Sequence, residues 1–184
     1  MIQVGQFCWK LYMTYQPIRK LLQFFISVVL TSLLLCAATS TSACIGPVFN
    51  KAAFFNALSG NDLSAIDAML TRLHLLGTAE QPAYEGALLM KKAGLSSKAR
   101  EKLQVFKKGR AKLEQAIQTG NGNPEFHFLR LIIQEQAPKI VKYKTDLDND
   151  ARIIKKSFIK LPQVVQQAVL DYTKISKVLN AADF

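Results

Sequence analysis

Three residues with chemistry to offer, His127, Arg130 and Gln134, stand three and four apart in the apolar stretch GNGNPEFHFLRLIIQEQAP, Gly120 to Pro138. At ~100° of turn per residue a helix brings them into one row. An arginine fork flanked by an imidazole and an amide can grip a carboxylate or a phosphate. The same row can instead face water or pair with a neighbouring helix, because every helix must put its polar residues somewhere. Phe126, Leu129 and Ile133 share another face, and Phe128, Leu131 and Ile132 fill most of the rest. A helix apolar nearly all round belongs in the interior.

Two carboxylates are embedded in similar surroundings. Glu135 falls on the side of Phe128 and Leu131, and Glu85 lies close to Leu88 and Leu89 in AYEGALLMKK. Together they could serve as an acid/base pair of a hydrolase. The competing expectation is an internal ionic brace, each carboxylate held by a cation such as Lys92, Arg110 or Arg130, since a buried charge is costly unless paired.

Between Lys91 and Lys112 the chain carries nine Lys or Arg and one acid, Glu101. Leu103, Phe106, Leu113 and Ile117 form the apolar side of this helix, with Arg100, Lys107, Lys108 and Lys112 largely opposite. Such a basic face suits an anionic lipid or polyanion, or is simply solvated. Nucleic acid is not expected as a partner, because aromatic residues for base stacking are not interleaved there. The run DLDND, Asp146 to Asp150, imitates a calcium loop but has Ala151 where glycine is needed and Ser157 where a bidentate glutamate belongs. Acids at a helix start, Thr145 with Asp148 resembling a capping box, explain it better. With two histidines, His74 and His127, and no hydrolase, zinc-protease or phosphate-loop motif, neither metal, cofactor nor catalytic residue is expected.

The elements that must position these residues are helices. Val48–Ser59 repeats apolar residues at helical spacing, and Asp62 caps a second helix with stripe Leu63, Ile66, Leu70 and Leu73, ending near Gly77. A third opens at Gln81–Pro82 and stops at Gly94. A fourth, capped by Ser96 or Ser97, runs to about Gln118. Pro124 starts the fifth, closed at Pro138. TDLDNDARIIKKSF makes a sixth, and Pro162 opens a seventh that extends to about Leu179. Strand signals are nearly absent. Short connections make neighbours antiparallel hairpins.

The junction GRAKLEQAIQTGNGNPEFHFLRL resembles that between tetratricopeptide repeats, with Ala116 and Pro124 at the small and proline positions. The resemblance implies a tetratricopeptide-like stack of about seven helices. Along nearly the whole mature chain, YEGALLMKKAG, KLQVFKKGRAKLEQAI, NPEFHFLRLIIQEQAPK and LPQVVQQAVLDYTKISK are similar to a family of small exported α-helical proteins of Bacteroidota bacteria. That likeness implies export and one domain, and no assigned chemistry.

Residues 1–43 read as an export signal: Lys10, Arg19 and Lys20 with no acid, the apolar run Leu21–Ala38, then TSTSA. Met13 is an alternative start, and a retained anchor is the rival reading. Cleavage before Cys44 suits an ordinary signal peptidase. Ala43–Cys44 also suits lipoprotein processing, although Thr41 and the early end of the apolar run speak against acylation. The cysteines are Cys8, Cys36 and Cys44, so a mature chain, residues 44–184, holds at most one and no internal disulfide. Removing the leader's three cations from 24 Lys and Arg leaves 21 against 13 Asp and Glu, a net of about +8. The expectation is a non-enzymatic exported binding or scaffold module of the periplasm or cell envelope, or extracellular. A protein or peptide partner would lie in a groove between hairpins, held by His127, Arg130 and Gln134. The alternative is peripheral attachment to an anionic envelope surface through the basic face or an acylated Cys44.

Overall fold

A computed structural model describes residues 49–184, with nothing described of the Ala99 side chain. The leader, the Met13 start and Cys44 lie outside the described residues. Among the described residues there are seven α-helices, three short 3-10 turns and no strand. Helix α1 spans Lys51–Ser59 and begins at Asn50, whose side chain accepts from the Ala53 N–H at 2.9 Å. Helix α2 spans Leu63–His74, and Asp62 caps it by accepting from the Ser64 N–H at 2.8 Å. Helices α3, Gln81–Leu95, and α4, Ala99–Thr119, form a hairpin. Helix α5 spans Pro124–Gln136 and starts from an Asn123 cap. Helices α6, Leu147–Ser157, and α7, Gln163–Thr173, complete the set.

Four boundaries differ from the sequence reading. Helix α3 runs through Gly94 to Leu95. One glycine costs a helix only ~1 kcal/mol, and the preceding Ala93 is buried against the core. Neither Ser96 nor Ser97 caps α4; Lys98 holds that position with an extended backbone and no side-chain bond. The Thr145–Asp148 box does not form, because the Thr145 hydroxyl donates to Asp146 Oδ2 at 2.7 Å. Helix α7 stops at Thr173 rather than near Leu179. There the Lys177 N–H, which would continue the helix, is given to Glu135 Oε1 at 2.7 Å.

Helix α3 touches α1, α2, α4 and α5, α5 packs on α6, and α7 packs back on α1. The tightest joint is the α3–α4 hairpin, whose crossing lies at Gly86 and Gly109. Aromatic rings tie the first layers together: Phe54 meets Tyr84 edge-on at 4.8 Å, and Phe128 meets Tyr172 at 5.9 Å. As its all-round apolar pattern requires, α5 is buried without interruption from Glu125 to Gln134. Leu103, expected on the buried side of α4, is 47 % exposed. The first turns of α4 project beyond the packed part of the hairpin, which begins at Phe106.

Candidate functional site

Helix α5 carries the polar row into the interior rather than to the surface. Asp150, at the start of α6 and fully buried, receives most of it. Arg130 grips it side-on, Nε donating to Oδ2 at 2.8 Å and Nη2 to Oδ1 at 2.7 Å. His127 Nδ1 lies 2.7 Å from the same Oδ1, so the acceptor-only carboxylate places the ring proton on Nδ1. The remaining Arg130 nitrogen, Nη1, donates to Glu114 Oε2 at 2.9 Å, and Tyr143 donates to Glu114 Oε1 at 2.5 Å. Gln134 exchanges two bonds with Asp146, donating from Nε2 at 3.1 Å and accepting the Asp146 N–H at 3.2 Å. All three residues of the row are thus occupied inside the chain, joining α5 to α6 and α4.

Electrostatics follow from this closure. Burial would lower the Arg130 pKa, but the hydrogen bond and charge of Asp150, with Glu114 and Asp146 behind it, raise it instead. Burial raises the Tyr143 pKa, as does its bond to Glu114. The Asp146 carboxyl is held below its ordinary value, first by the Thr145 hydroxyl and then, against some burial, by Gln134 and Arg130.

The expected braces form with other partners. Glu85 is buried and accepts from Lys112 Nζ at 3.0 Å, with His74 Nε2 at 3.9 Å. Lys112 therefore leaves the basic face and turns inward. Lys92 pairs with Asp67 at 2.5 Å, and Arg110 lies over the Tyr143 ring at 4.7 Å. Glu135 is only half-buried; it takes the Ser176 hydroxyl and the Lys177 N–H, both at 2.7 Å, in place of a cation. Glu85 and Glu135 share no partner. Arg100, Lys107 and Lys108 remain exposed on α4.

Sequence reasoning passed over Glu125, the buried acid at the start of α5. It accepts from Lys51 Nζ and from the Tyr84 hydroxyl, each at 2.6 Å, and ties α1 and α3 to α5. Its position one residue after Pro124 reads as an ordinary first-turn acid, which is why only the packed neighbours reveal it. Among the described residues no buried side-chain nitrogen or oxygen lacks a partner, no cluster of His, Cys, Asp and Glu could hold a metal, and no helix is long and apolar enough to cross a membrane.

The chain matches no protein-family model, no curated protein and no solved structure.

What the polar row does not provide, an apolar cleft does. It opens where the C-terminal end of α3 meets the start of α4, the end of α5 and the Lys139–Val141 turn, and holds about 640 Å³. Met90, Leu103, Phe106, Ile133, Ile140 and Val141 supply most of its wall. Ile140 is 87 % exposed at the rim. Two cations border it. Lys102 Nζ donates to the Gly94 carbonyl at 3.2 Å, and Lys91 Nζ to Asn61 Oδ1 at 3.3 Å. Among the described residues neither lysine is paired with a carboxylate. Burial lowers the Lys91 pKa, and no neighbouring acid offsets it. Sequence reading noted these lysines only as part of a basic stretch, since the α5 and turn residues that complete the cleft lie about thirty to fifty residues further along.

Proposed function

We propose that this protein is a non-enzymatic helical binding module of the periplasm or cell envelope, and that it binds through the apolar cleft between α3, α4 and α5. One observation carries the reading. An apolar cleft has exposed isoleucine and leucine at its edge and two lysines on its wall that pair with no carboxylate among the described residues, while the polar row is consumed in holding helices together. Its volume lies in the ~300–1,000 Å³ range of small-molecule sites, and convergent polar groups on an apolar wall are their usual composition. Acid/base chemistry has no comparable support, since the two embedded glutamates serve separate parts of the fold.

A photo-crosslinking residue at Leu103 or Ile140 tests this. Labelling of a discrete ligand from an envelope fraction, reduced when the cleft is narrowed by Gly94→Phe, is the expected result. A Cβ on Gly94 meets nothing within 4 Å, so this change extends into open space. Labelling indifferent to Gly94→Phe removes the cleft as the binding surface.

The exposed cations Arg100, Lys107 and Lys108 favour a second reading, peripheral association with an anionic envelope surface. Co-sedimentation with anionic vesicles that is lost at high salt supports it. Retention insensitive to salt but abolished by Cys44→Ser points to an acyl anchor instead, and no sedimentation under either condition removes both.

A further inference from the structure

We infer that the α3–α4–α5 cleft is a site for one long-chain fatty acid, the alkyl chain lying against Phe106, Ile133 and Val141 and the carboxylate held by Lys102 and Lys91. The inference rests on the binding-module reading and names its ligand class. Three features select an anionic single-chain amphiphile. The wall is overwhelmingly apolar, which fits an alkyl chain and leaves a polar solute without partners. Its charged members are both cationic, and each ammonium makes a single hydrogen bond, leaving donors for a carboxylate. Lys102 is anchored to the Gly94 carbonyl, on the cleft's own edge, so its charge stands beside the mouth rather than out in solvent.

The absence of a carboxylate beside these lysines is informative because the chain pairs its other inward-turned lysines. Lys51 is matched to Glu125 and Lys112 to Glu85. Burial penalises the Lys91 charge with no acid to offset it, and a bound carboxylate would relieve that cost. A neutral lipid would gain the apolar wall and leave both cations as they are. The Pro138–Val141 turn borders the cleft together with α3 and α4.

The test is a calorimetric titration of the full chain, as its host processes it, with palmitate below its micelle concentration, and with hexadecanol as the uncharged control. Native mass spectrometry counts the ligands bound. One palmitate per chain is expected, with affinity falling at least about tenfold for hexadecanol and for the Lys91→Gln/Lys102→Gln variant, each of which loses two charge-assisted contacts. Gly94→Phe should abolish binding, with its helical circular dichroism checking that it folds. Palmitate that fails to bind, or binds the glutamine variant and the parent alike, overturns the fatty-acid assignment. If the crosslinks at Leu103 and Ile140 nonetheless persist, the cleft is a binding surface for another chemistry; if they vanish too, the binding-module reading falls with it.

Discussion

Gly86 and Gly109 touch main chain to main chain: a Cβ on Gly86 would lie 2.7 Å from the Gly109 carbonyl oxygen, and one on Gly109 would lie 2.6 Å from that of Gly86. Leu113 N would stand only 2.8 Å from the first of these carbons. No methyl group fits, so α3 and α4 approach as closely as two helices can. That contact draws Glu85 within reach of Lys112, whose Nζ lies 3.0 Å from Glu85 Oε2.

Gly86→Ala and Gly109→Ala should each cost about 1–3 kcal/mol, because the obstacle is backbone that cannot rotate away. Gly94→Ala, on the same helix but facing open space, should gain about 0.5–1 kcal/mol from lower unfolded-state entropy. Urea denaturation midpoints of the three variants check both signs. Equal stability of Gly86→Ala and the parent would mean that the helices are further apart.

Removing Asp150 leaves Arg130 buried without its bidentate partner. Asp150→Ala should lose about 3–5 kcal/mol, and Arg130→Ala a similar amount. Replacing both, Arg130→Met with Asp150→Leu, should cost clearly less than the two single losses together, since no stranded charge remains. A double-variant cycle by thermal denaturation reads the coupling. Loss of any partner by Arg130→Ala alone would then report unfolding rather than a binding contact.

Tyr84, Tyr143 and Tyr172, the tyrosines of the described residues, are all buried with pKa values raised, primarily by burial and then by neighbouring Glu125, Glu114 and Glu135 respectively. A raised folded pKa gives stability that is present below the unfolded value of about 10 and is lost as pH climbs above it. Phenolate absorbance from these three should therefore stay silent near pH 10 and appear together with loss of helical circular dichroism. A smooth non-cooperative titration at the ordinary value would contradict their burial.

Lys91 carries the opposite sign. Its folded pKa is lowered by burial, so its charge opposes folding at neutral pH, and the penalty fades only as pH rises towards the unfolded lysine value of about 10.4. Lys91→Met should raise the melting temperature of the ligand-free protein while weakening palmitate binding. An unchanged or lower melting temperature would show that the ammonium is already satisfied.

Helix content was legible because it is local. Asp62, Asn123 with Pro124, and the all-round apolar pattern of α5 act within a few residues of themselves, so their types and spacing suffice to set the seven helices of the described residues. Spacing also put His127, Arg130 and Gln134 in one row. What it could not say is which way the row points, since a row on a helix is the same row whether it meets water or Asp150. Tertiary structure decided that, by bringing Asp146 and Asp150 from twelve to twenty-three residues downstream. The same limit explains why Glu85 was recognised as embedded while its cation, Lys112, was not: many lysines lay within reach along the chain, and only the glycine crossing selects one. Gly86 and Gly109 themselves look like ordinary helix weaknesses until the two helices are laid together. The cleft, built from three helices and a turn, has no counterpart in any single stretch, because apolar surface left uncovered is a property of how segments are arranged and not of the segments.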